Sequence, residues 1–151
     1  MQVAEILDKK GERVVSIDEA TTVSSAADRL SQERVGALVV KANGGELAGI
    51  ISERDIVRGM AARGAAVMDL PVSELMSRAL VTCSPKSSTE DIMEQMLNRQ
   101  IRHLPVLRDD ALVGIISIGD VVKAVLSELR WMTTVLQDQV VAAAGRSADE
   151  E

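Results

Sequence analysis

An α+β fold built from two copies of a strand–helix–strand–strand–helix unit, related by a pseudo-twofold axis, is predicted by three observations. The segment "GIISERD", residues 49–55, returns as "GIISIGD", residues 114–120. Its surroundings repeat as well. A shift of 66 residues lays Val15 on Val81, Thr21 on Ser87, Leu38 on Leu104 and Val40 on Val106, and a shift of 65 then lays Gly49, Ser52 and Asp55 on Gly114, Ser117 and Asp120. Within each copy, short β-branched runs alternate with stretches of helical spacing.

The elements follow in order. A short leading segment, "VAEIL" from Val3 and "VSELM" from Val72, is read as the start of its own half. Residues 14–17 and 80–83 read as short strands. Apolar residues at helical spacing come next: Ala26, Ala27 and Leu30 in one copy, Ile92, Met93, Met96 and Leu97 in the other. "ALVVK" and "HLPVL" are strands, and "LAGIIS" and "LVGIIS" are their partners. The turns between them are "NGGE" and "RDDA", the first with Asn-Gly chemistry suited to a hairpin. A second helix starts at each Ser-x-x-Asp. Gly64 closes the first of these helices and Pro71 resets the chain. The repeats are therefore set at residues 1–64 and 65–126, each too small to bury a good core alone, so they should pack face to face. The last helix continues as an extension over residues 127–144. Val122, Val125, Leu129, Met132, Leu136 and Val140 form one stripe on it, Gly145 ends it, and residues 145–151 are expected to form a disordered tail.

Composition narrows the function. Apolar residues make up 46% and charged residues 26% of the 151, an ordinary globular balance. No apolar run approaches the roughly 20 residues of a membrane span. "MQVAEILDKK" has no basic region followed by an apolar one, so no secretory signal is expected. The single cysteine, Cys83, excludes an internal disulfide, and cytoplasmic residence is the default. Cys83 and the seven methionines read as core residues rather than as a nucleophile or metal ligands. The net charge of −6, without a basic stripe, argues against nucleic acid. With Trp131 as the only aromatic apart from one histidine, a flat ligand ring must lie between aliphatic side chains.

Ser-x-x-Asp at a strand-to-helix junction has a structural reading: the serine caps a free N–H, and the aspartate suits the positive helix end. Its duplication at matching places in matching repeats points further. Two such units resemble a tandem cystathionine-β-synthase (CBS) domain pair, or Bateman module, over roughly residues 1–126. The resemblance implies a stand-alone regulatory module, not an enzyme, that binds adenosine-containing ligands in clefts between the halves: AMP, ADP, ATP, NAD(H) or S-adenosylmethionine. It would use no metal and no cofactor. Asp55 and Asp120 would each grip a ribose diol, with Ser52 and Ser117 helping to place the nucleotide. Backbone groups of Ala37 and Val39, and of His103, Leu104 and Pro105, would read the base edge, although Pro105 has no N–H to donate. Arg102 and His103 are the anion candidates, with Arg54. The matching positions, Gly36, Ala37 and Gly119, carry no charge, so the two pockets should differ. Arg54 and Arg102 also read as solvated or paired charges, and His103 as a hydrogen-bonding histidine. Thr21 and Ser87 precede helices and read first as caps, though in such a fold both would face the cleft.

Two other functions compete with this one. An enzyme is disfavoured because one histidine and no metal-ligand spacing leave no base or metal site. A homodimeric scaffold with vestigial ligand sites is the alternative. Homodimerisation is expected in either case, since the apolar stripe exceeds what one unit can cover and Trp131 would suit an anchor. The regulated partner protein is unknown.

Overall fold

A computed structural model describes residues 1–78 and 80–149, the side chain of residue 149 apart. The elements run α1 (Val3–Lys10), β1 (Ser16–Asp18), α2 (Val23–Glu33), β2 (Ala37–Lys41), β3 (Leu47–Ser52), α3 (Glu53–Arg63), α4 (Thr89–Arg99), β4 (His103–Arg108), β5 (Ala111–Ser117) and α5 (Ile118–Asp149), with 3₁₀ turns at Ala65–Asp69 and Val72–Glu74. In the first half β2 pairs with β1 in parallel and with β3 antiparallel. In the second, β4 and β5 form an antiparallel pair. No helix among the described residues is long and apolar enough to cross a membrane.

The repeat survives down to single bonds. Both hairpins carry a register shift at the same place, after Val40 and after Val106. Arg34 and Gln100, at φ 55° and 54°, end α2 and α4 in the left-handed conformation and turn the chain into the next strand. The hairpin turns account for the change of shift. Asp109 and Asp110, both at positive φ, make a two-residue turn, whereas the first hairpin places its positive φ at Gly45 and needs one residue more.

Residues 80–83 do not form the expected strand. Only Cys83 pairs, as a single parallel bridge to Val106, in the register that Ile17 keeps with Val40. The cause is Pro105. In the first half the Val39 N–H donates to the Val15 carbonyl at 3.1 Å, and Pro105, at the matching position, has no N–H to give Val81.

The leading segments do not belong to the units they precede; they are exchanged. Val72 and Met76 pack with Val23, Leu30, Leu38 and Ile51 of the first half, while Val3, Ile6 and Leu7 pack with Ile92, Met96, Leu104 and Ile116 of the second. The backbone bonds are reciprocal. Val72 N–H donates to Thr21 O at 2.8 Å and Val3 N–H to Ser87 O at 2.9 Å; Val23 N–H donates to Leu70 O at 2.9 Å and Thr89 N–H to Met1 O at 3.0 Å. Neither half completes its core without the other's leader.

The last helix also differs from expectation. It starts at Ile118, directly after Ser117, as the second Ser-x-x-Asp predicts, but it continues through Gly145 to Asp149, so the tail expected from residue 145 is helical as far as it is described. One glycine costs a helix only about 1 kcal/mol relative to alanine. Here Arg146 and Ser147 bond back to the carbonyls of Ala142 and Ala143 on either side of it.

The glycine of each "GIIS" is required by the exchange. A Cβ on Gly49 would lie 2.6 Å from the Ser77 carbonyl oxygen and 2.9 Å from the Met76 sulfur, and one on Gly114 would lie 2.7 Å from a Leu7 methyl. Gly49→Ala and Gly114→Ala are each expected to destabilise by about 1–3 kcal/mol, seen as a lower urea midpoint. Gly49→Ala should be the worse, because a backbone carbonyl gives way less easily than a leucine methyl.

Candidate functional site

Both Ser-x-x-Asp segments cap a helix. Ser52 Oγ accepts the Asp55 N–H at 3.3 Å, while Asp55 Oδ2 accepts the Ser52 N–H at 2.8 Å and its hydroxyl at 3.0 Å. Ser117 and Asp120 repeat the arrangement at 3.1 and 2.9 Å. A cap of this kind is worth about 1 kcal/mol. Both aspartates use Oδ2 for it, and a carboxylate has a second oxygen to offer, so capping does not exclude a ligand.

Asp55 faces a cleft of about 200 Å³ between the halves. Five of the expected residues meet there: Ser52, Arg54, Asp55, Arg102 and His103. Ser52, Arg54 and Asp55 sit at the start of α3, and Arg102 and His103 sit where Gln100 turns the chain into β4. Gly36 belongs to the same wall because a Cβ there would come within 3.2 Å of His103 Nε2. Sequence reading missed Arg58 and the apolar wall of Ile50, Leu80, Val81 and Ile101. Arg58 was legible, four residues after Arg54 and so on the same helical face. Among the described residues, none of Arg54, Arg58 and Arg102 is ion-paired.

The remaining expected residues lie elsewhere. The caps of α2 and α4 are Thr22 and Ser88, not Thr21 and Ser87. Thr21 and Ser87 serve instead through their carbonyls, which receive the exchanged segments. Ala37 is buried at the start of β2 and pairs with Ser52. Val39 and Leu104 are fully buried, and the Pro105 carbonyl accepts the Cys83 N–H at 3.0 Å. Asp120 is held by a residue that sequence reading passed over: Lys10 Nζ donates to its Oδ2 at 2.6 Å.

Three groups titrate away from their ordinary values. Burial depresses the His103 pKa below 6.5; Lys10 and Arg102 lower it further, against the opposing pull of Asp120 and Asp55. His103 is therefore neutral at pH 7. Burial tends to raise the Asp120 carboxyl, but the Lys10 and Ser117 hydrogen bonds and the Lys10 charge outweigh it and hold the group below the usual value. Burial pushes the Cys83 thiol up to about 11, so it stays protonated in the core, as its reading as a packing residue requires.

Two equivalent α/β units with a charged cleft between them define a tandem-repeat module of the ligand-binding type. The model of the CBS domain matches residues 3–62 and 72–127, and the chain belongs to the CBS-domain family as a tandem pair. The mitochondrial CBS domain-containing protein CBSX3 of Arabidopsis thaliana is 40% identical over 113 residues, which cover 72% of this chain and 55% of that protein. The chain thus spans about half the length of that relative. Among solved structures, the CBS-domain containing protein ATU1752 from Agrobacterium tumefaciens has a TM-score of 0.81 at 41% identity, covering 82% of this chain and 98% of that one. The CBS domain protein PAE2072 from Pyrobaculum aerophilum, solved in complex with AMP, has a TM-score of 0.70 at 29% identity, covering 80% and 89%.

The His103 shift sets a pH dependence. The unfolded chain takes up its histidine proton near pH 6.5 and the folded chain resists. Folding stability is therefore full above that pH and is lost as pH falls through the depressed folded value. Urea titrations between pH 7.5 and about 5 should show wild-type stability declining, and His103→Gln should flatten that part of the decline.

Proposed function

We propose that the protein is a regulatory module that binds an adenosine-containing nucleotide in the Asp55 cleft and acts by binding rather than turnover. The observation that carries this reading is the composition of one cleft, spanning both halves: the carboxylates of Asp55 and Glu53, three arginines without an ion pair among the described residues, and an aliphatic wall. A ribose diol offers two donors to the Asp55 carboxylate. The phosphates, which the carboxylate repels, go to Arg54, Arg58 and Arg102. The ring lies against Ile50, Leu80, Val81 and Ile101, since no Phe, Tyr or Trp is among the described residues that line the cleft. The AMP complex of PAE2072 supports the choice of ligand class, and AMP is the first ligand to test. ADP, ATP, NAD(H) and S-adenosylmethionine share the adenosine and differ in what they present to the arginines. Neutral His103 adds a hydrogen bond rather than a charge, until a bound phosphate draws a proton onto it.

Calorimetric titration of AMP, ATP, NADH and S-adenosylmethionine tests the reading. Asp55→Ala should abolish binding of the preferred ligand. Arg102→Ala and Arg58→Ala should each cost about 1.5–3 kcal/mol, roughly 10- to 100-fold, for AMP and little for adenosine. Equal losses for AMP and adenosine in the arginine variants would place the phosphate elsewhere.

Self-association is the second reading, and it stands on α5. Val122, Leu129, Met132, Leu136 and Val140 are exposed along it, Leu136 by 61%. Their alternating three- and four-residue steps from Val122 to Leu136, through partly buried Val125, make a coiled-coil seam. A lone helix extending from a domain is marginal in water, so a second copy in the same seam is the expected cover. Sedimentation should give a dimer, and Leu129→Glu combined with Leu136→Glu should give a folded monomer. If the scaffold is the whole function, Asp55→Ala and Asp120→Ala will leave assembly unchanged.

A further inference from the structure

Asp55 and Asp120 hold equivalent places in the repeat and bear the same capping bonds, yet their surroundings differ. In the first half the Ile50 carbonyl, on the edge of β3, accepts the Ser77 N–H at 2.9 Å. The equivalent carbonyl on β5, that of Ile115, accepts Lys10 Nζ at 2.9 Å. The same ammonium donates to Asp120 Oδ2 at 2.6 Å. The sequence shows how it gets there. Seven positions separate Leu7 from Val14, but four separate Met76 from Leu80. The longer stretch lets α1 run on as a regular helix to Lys10, while the other leader stops at Glu74. Among the described residues no lysine bonds to Asp55.

We propose that Lys10 is the residue that decides which of the two ribose carboxylates works: it latches Asp120, so the protein binds one adenosine ligand per chain, through Asp55. The inference rests on the ligand reading of the Asp55 cleft. The ammonium sits on Oδ2, the oxygen the cap also uses, so the latch does not fill Oδ1; it acts by cancelling the negative charge to which a ribose diol would bond. Hydroxyl bonds to a carboxylate draw their strength from its charge, and the ammonium both bonds to Asp120 and neutralises that charge, whereas Asp55 keeps its own. Moving Lys10 aside also strips the Ile115 carbonyl of its donor. The pair is part-buried, with side chains 35% and 20% exposed, so solvent screens it less than a surface pair. The latch can still be lifted without unfolding, since a groove of about 310 Å³ between α1 and α5 lies beside Lys10 and has room for its stem.

The test is calorimetric titration of AMP into the full chain as wild type, Lys10→Gln, Lys10→Met, and Lys10→Met with Asp120→Ala. Glutamine keeps a donor for the Ile115 carbonyl without the charge, so a folded variant remains if methionine destabilises. The expected result is one AMP per chain in wild type, two in Lys10→Gln and Lys10→Met, and one again when Asp120 is also removed. Two per chain in wild type, or one in wild type and in both single variants, would overturn the latch while leaving the Asp55 site standing. No binding to any of the four proteins overturns the latch together with the reading it rests on, and the wild-type titration tells the two failures apart.

Discussion

Two backbone hydrogen bonds, Val72 to Thr21 and Val3 to Ser87, tie each half to the leader of the other, and most of the architecture follows from them. A unit of this size cannot bury enough apolar surface alone. Exchange solves this by supplying each core with valine and leucine or methionine side chains from across the interface. It also constrains the strands that receive the leaders. Gly49 and Gly114 have no Cβ because a leader lies where the Cβ would be. The glycine of the repeated segment is thus a packing device, and the serine and aspartate that follow are a cap. Function is added to a motif that folding already requires.

The exchange sets the proposed ligand cleft across the interface it stitches together. Asp55 and the two arginines beside it ride on α3 of one half; Arg102 and His103 lie at the entry to β4 of the other. A nucleotide held from both sides works on the same interface that the leaders stitch together. On the proposed reading, binding would favour one relative placement of the halves, and differential affinity for that placement is all a regulatory module needs.

Much of this was legible in the residues. Doubled Ser-x-x-Asp gave the repeat, the capped helices and the pair of carboxylates, and Arg102 against Gly36 gave the asymmetry of charge. What stayed hidden depends on long-range partners. The leaders "VAEIL" and "VSELM" are alike and apolar, so nothing in them says which core each enters; that is settled by backbone groups far along the chain. Lys10 and Asp120 are 110 residues apart, and a lysine at the end of an amphipathic helix reads as an ordinary basic C-terminus. Pro105 was visibly without an N–H, but its effect on residues 80–83 emerges only when Val39 is seen spending that N–H on Val15. Gly145 misled because glycine is a stop signal only where the chain needs a positive φ, and here the helix continues through it.

The central claim is that one cleft, organised by Asp55, holds the ribose of an adenosine ligand. A crystal structure of the protein grown with AMP tests it most directly. The account predicts ribose hydroxyls within hydrogen-bond distance of the Asp55 carboxylate, the phosphate among Arg54, Arg58 and Arg102, and Lys10 still on Asp120. AMP bound away from Asp55, or seated on Asp120 with the Asp55 cleft empty, would contradict it.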